Sequence, residues 1–360
     1  MHWFKRVRGL LLQLIAGLLI VLAVLVGAAR LALLEAPRFA DDVRRVALDA
    51  SGFELDFGLL TAGVSVYGPE LRLTAVQIDW PDGTPVLAAG EVTVAVDVLA
   101  LLTTGKVRAS RIYVEDSSLD VRITAAGEIV IQGVPLQDYL PANQPDNVVP
   151  DILISVENVA LTFADQRRGI EPVAARVERF DAAVATGVAD IQLDMAPEEA
   201  LGRRLKVEGI VPLALLRDPQ GYTGAAAWRL RVRAQDFRLD PWLRLINVTD
   251  APVIGTDGTA EATVEIIGLV PVKVLAELDV EQVVLTQPAG GPVNYERLAG
   301  VFAWQRDDEG WRGSGSDLLV VRDGQAWPKA DFTLQYRELD EDRIELEADH
   351  HRARDPFMDH

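Results

Sequence analysis

Hydrophobic and polar positions follow three different periods along this chain. Residues Gly9 to Ala29 carry no charge and only one strongly polar side chain, Gln13; the apolar run resumes after Arg30 as Leu31-Ala32-Leu33-Leu34. As a helix rising about 1.5 Å per residue, the uncharged part spans roughly 30 Å, the thickness of a bilayer core. From Pro37 the period is helical. Phe39, Val43, Val46, Ala47 and Ala50 recur on one side, Asp41, Asp42, Arg44, Arg45 and Asp49 on the other, and Gly52 closes the run. From Phe53 the period is two. Val92, Val94, Val96 and Val98 alternate with Thr93, Ala95 and Asp97; Leu119, Val121 and Ile123 alternate with Asp120 and Arg122. Trp228, Leu230, Val232 and Ala234 alternate with Arg229, Arg231, Arg233 and Gln235. Val272, Val274, Ala276, Leu278 and Val280 alternate with Lys273, Leu275, Glu277, Asp279 and Glu281. Each predicts a strand with one apolar and one mostly wet face, the pattern of an antiparallel sheet.

Turn signals separate the strands: Pro81-Asp82-Gly83, Gln166 to Gly169, Gly255 to Gly258, Asp308 to Gly310 and Asp323-Gly324. Prolines 135, 141, 145 and 150 break regular structure across 133–150. The expected order is a basic start (1–8), a transmembrane helix (9–34), an amphipathic connector helix (35–52), a first β segment (53–132), a Pro-rich linker (133–150), a continuing β segment (151–349) and a charged tail (350–360). Past residue 52 no amphipathic helical pattern exceeds about two turns. A one-sided sheet must then pack on a second sheet as a sandwich, close into a barrel, or curve into a trough lined by apolar side chains. Periodicity alone leaves the sandwich as the default.

Lys5, Arg6 and Arg8 precede the uncharged stretch, so the positive-inside rule keeps the N-terminus cytoplasmic and puts everything after Arg30 across the membrane. A cleaved signal peptide shares the basic start. Its apolar region is only roughly 7–15 residues long, however, and the small-residue site around Gly27-Ala28-Ala29 sits late, with more apolar chain behind it. A retained anchor is expected, with a cleaved signal or a buried core helix as the alternatives. The connector is expected to cover the start of the sheet, the alternative being a helix lying in the membrane interface.

Charge and composition narrow the chemistry. The 360 residues carry a formal net charge of -19, and the basic residues beyond the N-terminal cluster are dispersed, which argues against a nucleic-acid surface. An acidic body should not lie flat on anionic headgroups, so membrane contact is expected through the anchor. With no cysteine, disulfides, thiolate metal sites and cysteine nucleophiles are excluded. The histidines are His2, His350, His351 and His360, which leaves none for catalysis or metal binding within 31–349. Ser314 stands between glycines but has no histidine as its base. Gly290-Gly291-Pro292 lacks the spacing of a phosphate loop. Asn247-Val248-Thr249 matches a glycosylation sequon by chance. The acids Glu338, Asp340, Glu341, Asp342, Glu345 and Glu347 lack calcium-loop spacing and read as a solvated face, with a divalent-cation site as the minor alternative.

The order of parts resembles the AsmA-like family of Gram-negative bacteria, in particular the N-terminal portion of its YhdP group. The resemblance rests on the basic start, the apolar helix, the connector ending Ser51-Gly52, Tyr67-Gly68-Pro69-Glu70-Leu71, Val76-Gln77-Ile78, and the valine strand leading into Val98 to Leu102. Downstream, Ala234 to Leu243 is similar to that group's "strand, then D-x-x-P-W-L" segment, and Gly310-Trp311 with Leu318 to Pro328 to its "GW … DG-x-x-WP" stretch. Each motif is short; their shared order over 1–345 carries the resemblance. It implies an inner-membrane anchor, a long curved β-trough in the periplasm shielding phospholipid acyl chains between inner and outer membranes, no enzymatic activity and no cofactor. Members of the group are several times longer, so this chain is expected to be a fragment, an N-terminal module or a split product. It would then rely on a missing C-terminal portion or on a periplasmic or outer-membrane partner at its far end.

The expected fold is therefore mainly β: a transmembrane helix, a short amphipathic helix, and a long antiparallel open trough, with a β-sandwich as the alternative. Candidate groove positions are Leu71, Leu73, Val92, Val94, Val96, Leu119, Val121, Ile123, Trp228, Leu230, Val232, Val272, Val274 and Leu278. Phe39, Val43 and Val46 are candidates for a gate between membrane and sheet. Any of these reads equally well as an ordinary core residue. The rival functions are a periplasmic scaffold assisting outer-membrane assembly through protein contacts and, less favoured, an anchored hydrolase using carboxylates alone.

Overall fold

The structure, a computed structural model, describes residues 36–105, 108–135, 151–167, 169–185, 187–217, 224, 227–238, 241–242, 253–254, 257–268, 270–286, 292–306, 310–340 and 343–352. The expected basic start and transmembrane helix, most of the Pro-rich linker, the sequon and the end of the tail lie outside the described residues. Among the described residues no helix is long and apolar enough to cross a membrane. The chain divides into two compact units, Met1–Glu115 and Asp116–His360.

In the first unit a 3-10 turn, Ala36–Phe39, leads into α1, Ala40–Ser51. Asp41 and Asp42 sit in the first turn of α1, where the helix dipole favours negative charge. Gly52 ends it in the left-handed conformation (φ 77°), its N–H donating to the Leu48 carbonyl. Strands β1 (Glu54–Asp56) and β2 (Leu59–Ser65) pair with β3 (Gly68–Asp79), which pairs in turn with β4 (Pro85–Val96), all antiparallel. The short α2 (Val98–Thr104) follows, capped by the Asp97 carboxylate, which accepts from the Ala100 N–H at 2.9 Å. The register stacks Leu60, Leu73 and Val92, and beside them Ala62, Leu71 and Val94. Phe57, Leu60, Leu73, Val76, Ala89 and Val92 form a buried cluster, and Ala40 and Val43 of α1 pack on it. The connector thus covers the first strands.

Strand β5 (Ala109–Ile123) crosses the division between the units, ahead of the Pro-rich stretch. In the second unit its end pairs with β6 (Ile129–Ile131), which pairs with β7 (Val134–Pro135). It also runs beside β8 (Ile152–Asp165). There Asn158 donates to the Asp116 carboxylate and the Gln166 N–H to the Ile123 carbonyl, so the two strands advance in the same direction. A parallel neighbour needs a crossover rather than a hairpin, and 133–150 lies in that crossover. Strand periodicity, which predicts antiparallel pairs only, does not carry this information.

From β8 onward the chain is an antiparallel meander. The remaining strands are β9 (Ile170–Ala185), β10 (Val188–Pro197), β11 (Arg204–Pro212), β12 (Ala227–Gln235), β14 (Gly258–Ile267), β15 (Val270–Thr286), β16 (Pro292–Arg306), β17 (Gly310–Arg322), β19 (Ala330–Asp340) and β20 (Arg343–Arg352). The short β13 (Val253–Ile254) and β18 (Gln325–Ala326) add to β15 and β17, and a helical turn, α3 (Leu213–Arg217), follows β11. His350 and His351 fall within β20, opposite Phe332 and Asp331. Among the described residues of this unit, the substantial contacts between elements join hydrogen-bonded strands or set α3 against β11, and no second sheet faces the first. The sandwich alternative is therefore replaced by a single open sheet. The sandwich was the default only because periodicity cannot show whether an apolar face is covered.

Strict alternation slips at residues held at positive φ: Ala75 (50°), Asn158 (54°) and Gln282 (53°). Two outward residues then separate inward ones, Leu73 from Val76, Val156 from Val159, and Val280 from Val283. An L-residue in that region costs roughly 1–2 kcal/mol, which glycine avoids in part. Ala75 makes the cleanest test because its side chain is a single methyl. Ala75→Gly should raise the denaturation midpoint of the full chain and Ala75→Val should lower it, measured by chemical unfolding.

Candidate functional site

Register in the second unit gathers inward side chains into rows that run across the strands. One row is Val156, Phe180, Leu193, Val207, Val232, Ala262, Ala276, Phe302, Gly315 and Phe332, from β8 to β19. On one side of it lie Ile154, Ala182, Ile191, Gly209, Leu230, Val264, Val274, Trp304, Gly313 and Leu334. On the other lie Val159, Val177, Met195, Leu205, Ala234, Ala260, Leu278 and Gly300. No charged side chain interrupts these rows. Every member of the first row except Gly315 is only half-buried. A covered sheet face of such residues would be buried throughout. The third row is the best covered. Near it Ala234, Phe237, Val280 and Val283 bury one another, and Trp242 packs on them while donating to the Leu201 carbonyl at 2.8 Å.

The sequence-predicted positions divide between two environments. Leu73 and Val92 are buried in the cluster under α1, and Leu71 and Val94 pack against it. Val96 is half-buried at the end of β4. Leu119, Val121 and Ile123 are half-buried on β5, with Val121 opposite Ile131. Leu230, Val232, Val274 and Leu278 belong to the rows above. Trp228 extends them opposite Ile266 and donates to the Gly268 carbonyl at 3.0 Å, while Val272 is half-buried two positions before Val274. Of the gate positions, Val43 packs on the first unit's core, Phe39 is exposed, and Val46 lies in α1 with its side chain outside the described residues.

Several row members were not singled out by sequence: Phe180, Leu193, Val207, Phe302, Trp304 and Phe332. Their signal is diluted. β9 places alanines both inward and outward, and β17 places Gly313 and Gly315 at inward positions. Cross-strand neighbours supply the missing bulk: the Phe332 ring lies over Gly315 in the space a Cβ would need. The alternation of Leu298, Phe302 and Trp304 around Gly300 was the available clue.

The opposite face is a lattice of cross-strand ion pairs. Arg204 and Lys206 reach Asp194 (2.8 and 3.2 Å), Arg231 and Arg233 reach Glu261, Arg229 reaches Glu265, and Arg297 reaches Asp279 at 2.7 Å. Arg204 above all holds the Asp194 carboxyl below its ordinary range, as Arg231 does Glu261, Arg229 does Glu265 and Arg297 does Asp279. A surface cleft of about 390 Å³ is lined by Pro197, Glu199, Gly202, Arg203, Asp236, Arg238 and Asp257. Four of its five charges pair, Arg203 with Asp236 (2.7 Å) and Arg238 with Asp257 (3.8 Å). Among the described residues no cluster of histidine and carboxylate side chains is placed to hold a metal ion.

The sequence model of the YhdP protein family matches residues 1–353. No curated protein matches the chain.

The ion-pair face yields a pH prediction. A carboxylate whose pKa is lower folded than unfolded adds stability above the unfolded value, and that stability is lost as pH falls through the folded value. Unfolding midpoints should hold near neutrality and fall as pH drops through and below roughly 4, the ordinary carboxylate range. Asp279→Asn should flatten that fall. A midpoint in the variant with the wild-type acid dependence would contradict this role for the pair.

Proposed function

The chain belongs to the YhdP family, and from that premise we propose that its open apolar face is a groove shielding phospholipid acyl chains. One observation carries the reading: three uncharged rows start at β8, two reaching β19 and one β16, and among the described residues the middle row is half-buried except at Gly315, with no second layer over it. Exposed apolar surface of this extent is costly in water and marks an interaction surface. Strands lie about 4.8 Å apart, so the run from β8 to β19 makes a lane roughly 45 Å long. One leaflet's hydrocarbon is about 15 Å deep, so the lane exceeds an acyl chain several-fold. Each sheltered methylene contributes about 0.8 kcal/mol. Such a lane binds acyl chains without a catalytic group, and sheet twist across this many strands favours curling into a groove.

In this reading residues 9–34 anchor the chain in the inner membrane with the N-terminus cytoplasmic. The bulk is periplasmic, and lipid passes toward the outer membrane. No cofactor or turnover enters the reading. A second reading, a periplasmic scaffold, draws on one feature: β20 pairs with β19 and has no described partner on its other edge. Such an edge accepts a further strand from a partner protein or from more of this chain.

A matched pair of substitutions tests the groove. Val232→Asp places a charge in the middle row, and Leu275→Asp places one on the opposite face, where Leu275 is already 50% exposed. Phospholipid co-purifying with the full chain in mild detergent should fall about tenfold or more in Val232→Asp, the effect of losing roughly two sheltered methylenes. Leu275→Asp should retain it, with circular dichroism confirming that both fold. Folded wild-type protein free of lipid, or equal lipid in both variants, would falsify the groove.

A further inference from the structure

The first unit carries an exposed apolar tip that neither its core nor the groove uses. At the β2–β3 turn Val64 and Val66 are 64% and 95% exposed, and in the adjacent α2 Leu102 is 78% exposed. The two elements are built to sit together. Gly68 (φ 115°) brings the turn so close to β4 that a Cβ there would lie 2.8 Å from the Val96 carbonyl oxygen and 3.8 Å from Val98. Ser110 Oγ donates to the Tyr67 carbonyl at 3.2 Å, and the Arg111 guanidinium lies 4.6 Å from the Tyr67 ring centre. The exposed side chains are therefore presented on a braced end rather than a loose loop.

The acids near this end are Glu70 and the α2 cap Asp97, fewer than the bases beside them. Residues 58–69 carry no charge, and residues 98–113 contain Lys106, Arg108 and Arg111 and no acid, in a chain of net charge -19. Apolar tips with an aromatic residue and flanking cations match the boundary between acyl chains and anionic headgroups.

The direction of α1 supplies the second observation. Its end lies by Phe53, whose ring meets Trp80 edge-on at 4.6 Å. Arg44 reaches Asp56 at 3.0 Å, Ala40 and Val43 pack on the cluster containing Leu60, and the preceding turn touches β2. α1 therefore runs antiparallel to β1 and β2, and the chain enters at Ala36 from the direction of the β2–β3 turn. The uncharged stretch Gly9–Ala29 precedes Ala36 by only residues 30–35.

We propose that the β2–β3 turn and α2 dip into the membrane interface beside the anchor, a second membrane contact that fixes how the first unit stands on the bilayer. The inference rests on the reading of 9–34 as a membrane anchor. It replaces the expectation that the acidic body touches the membrane through the anchor alone.

The absence of cysteine permits single-site labelling of the full chain. Val66→Cys, Leu102→Cys and, at the opposite end of β3 and β4, Asp82→Cys would each carry an environment-sensitive dye. The labelled chains go into vesicles of phosphatidylethanolamine and phosphatidylglycerol containing spin-labelled lipid. Quenching at positions 66 and 102 should exceed that at 82 by about threefold, as expected for side chains at the acyl boundary. A chain that floats with the vesicles but quenches equally at all three positions overturns this contact and leaves the anchor standing. A chain that does not float overturns both.

Discussion

Slipping any one strand of the second unit by a single residue would move its apolar side chains onto the charged face and its arginines and carboxylates onto the apolar one. Register is thus the constraint on which the rest depends. It is held from both sides. On one face Val207, Val232, Ala262 and Ala276 meet in line, and on the other Arg231 and Arg233 meet Glu261, and Arg297 meets Asp279. Exposed ion pairs contribute little stability singly. Here their larger effect is selective, since a slipped strand would place each charge against valine and alanine.

The two units handle the same kind of strand differently. In the first, α1 lies across Leu60, Leu73 and Val92 and the face becomes an ordinary core. In the second, Val232 and Phe302 stay half-buried although their strands alternate just as cleanly. Trp242 closes one margin, over Phe237 and Val280, and leaves the middle row open. The first strands are thus covered and the later ones bare.

Much of this was legible in the residues. Alternation in 228–235 and 272–280 identified the strands and their inward positions, and Phe39 to Ala50 identified a helix that covers the start of the sheet. Four things were not legible. Alternation cannot report what lies over a face, so Val92 and Val232 looked alike although one is core and the other open. Residues at positive φ such as Asn158 and Gln282 invert the phase without the glycine that usually marks such a site. The parallel approach of β5 and β8 depends on a crossover through 133–150 that leaves no periodic trace. Inward glycines such as Gly315, filled by the Phe332 ring, also hid strands that carry the middle row.

The central claim is that the uncovered face meets acyl chains. Its most direct test is photo-crosslinking in living cells, with a photoreactive residue at Val232 or Phe302 on the apolar face, or at Arg231 or Leu275 on the charged one, followed by mass spectrometry of the adducts. Phospholipid adducts at 232 and 302, and none at 231 and 275, are the expected result. Adducts equal on the two faces, or protein adducts alone at 232 and 302, would contradict it.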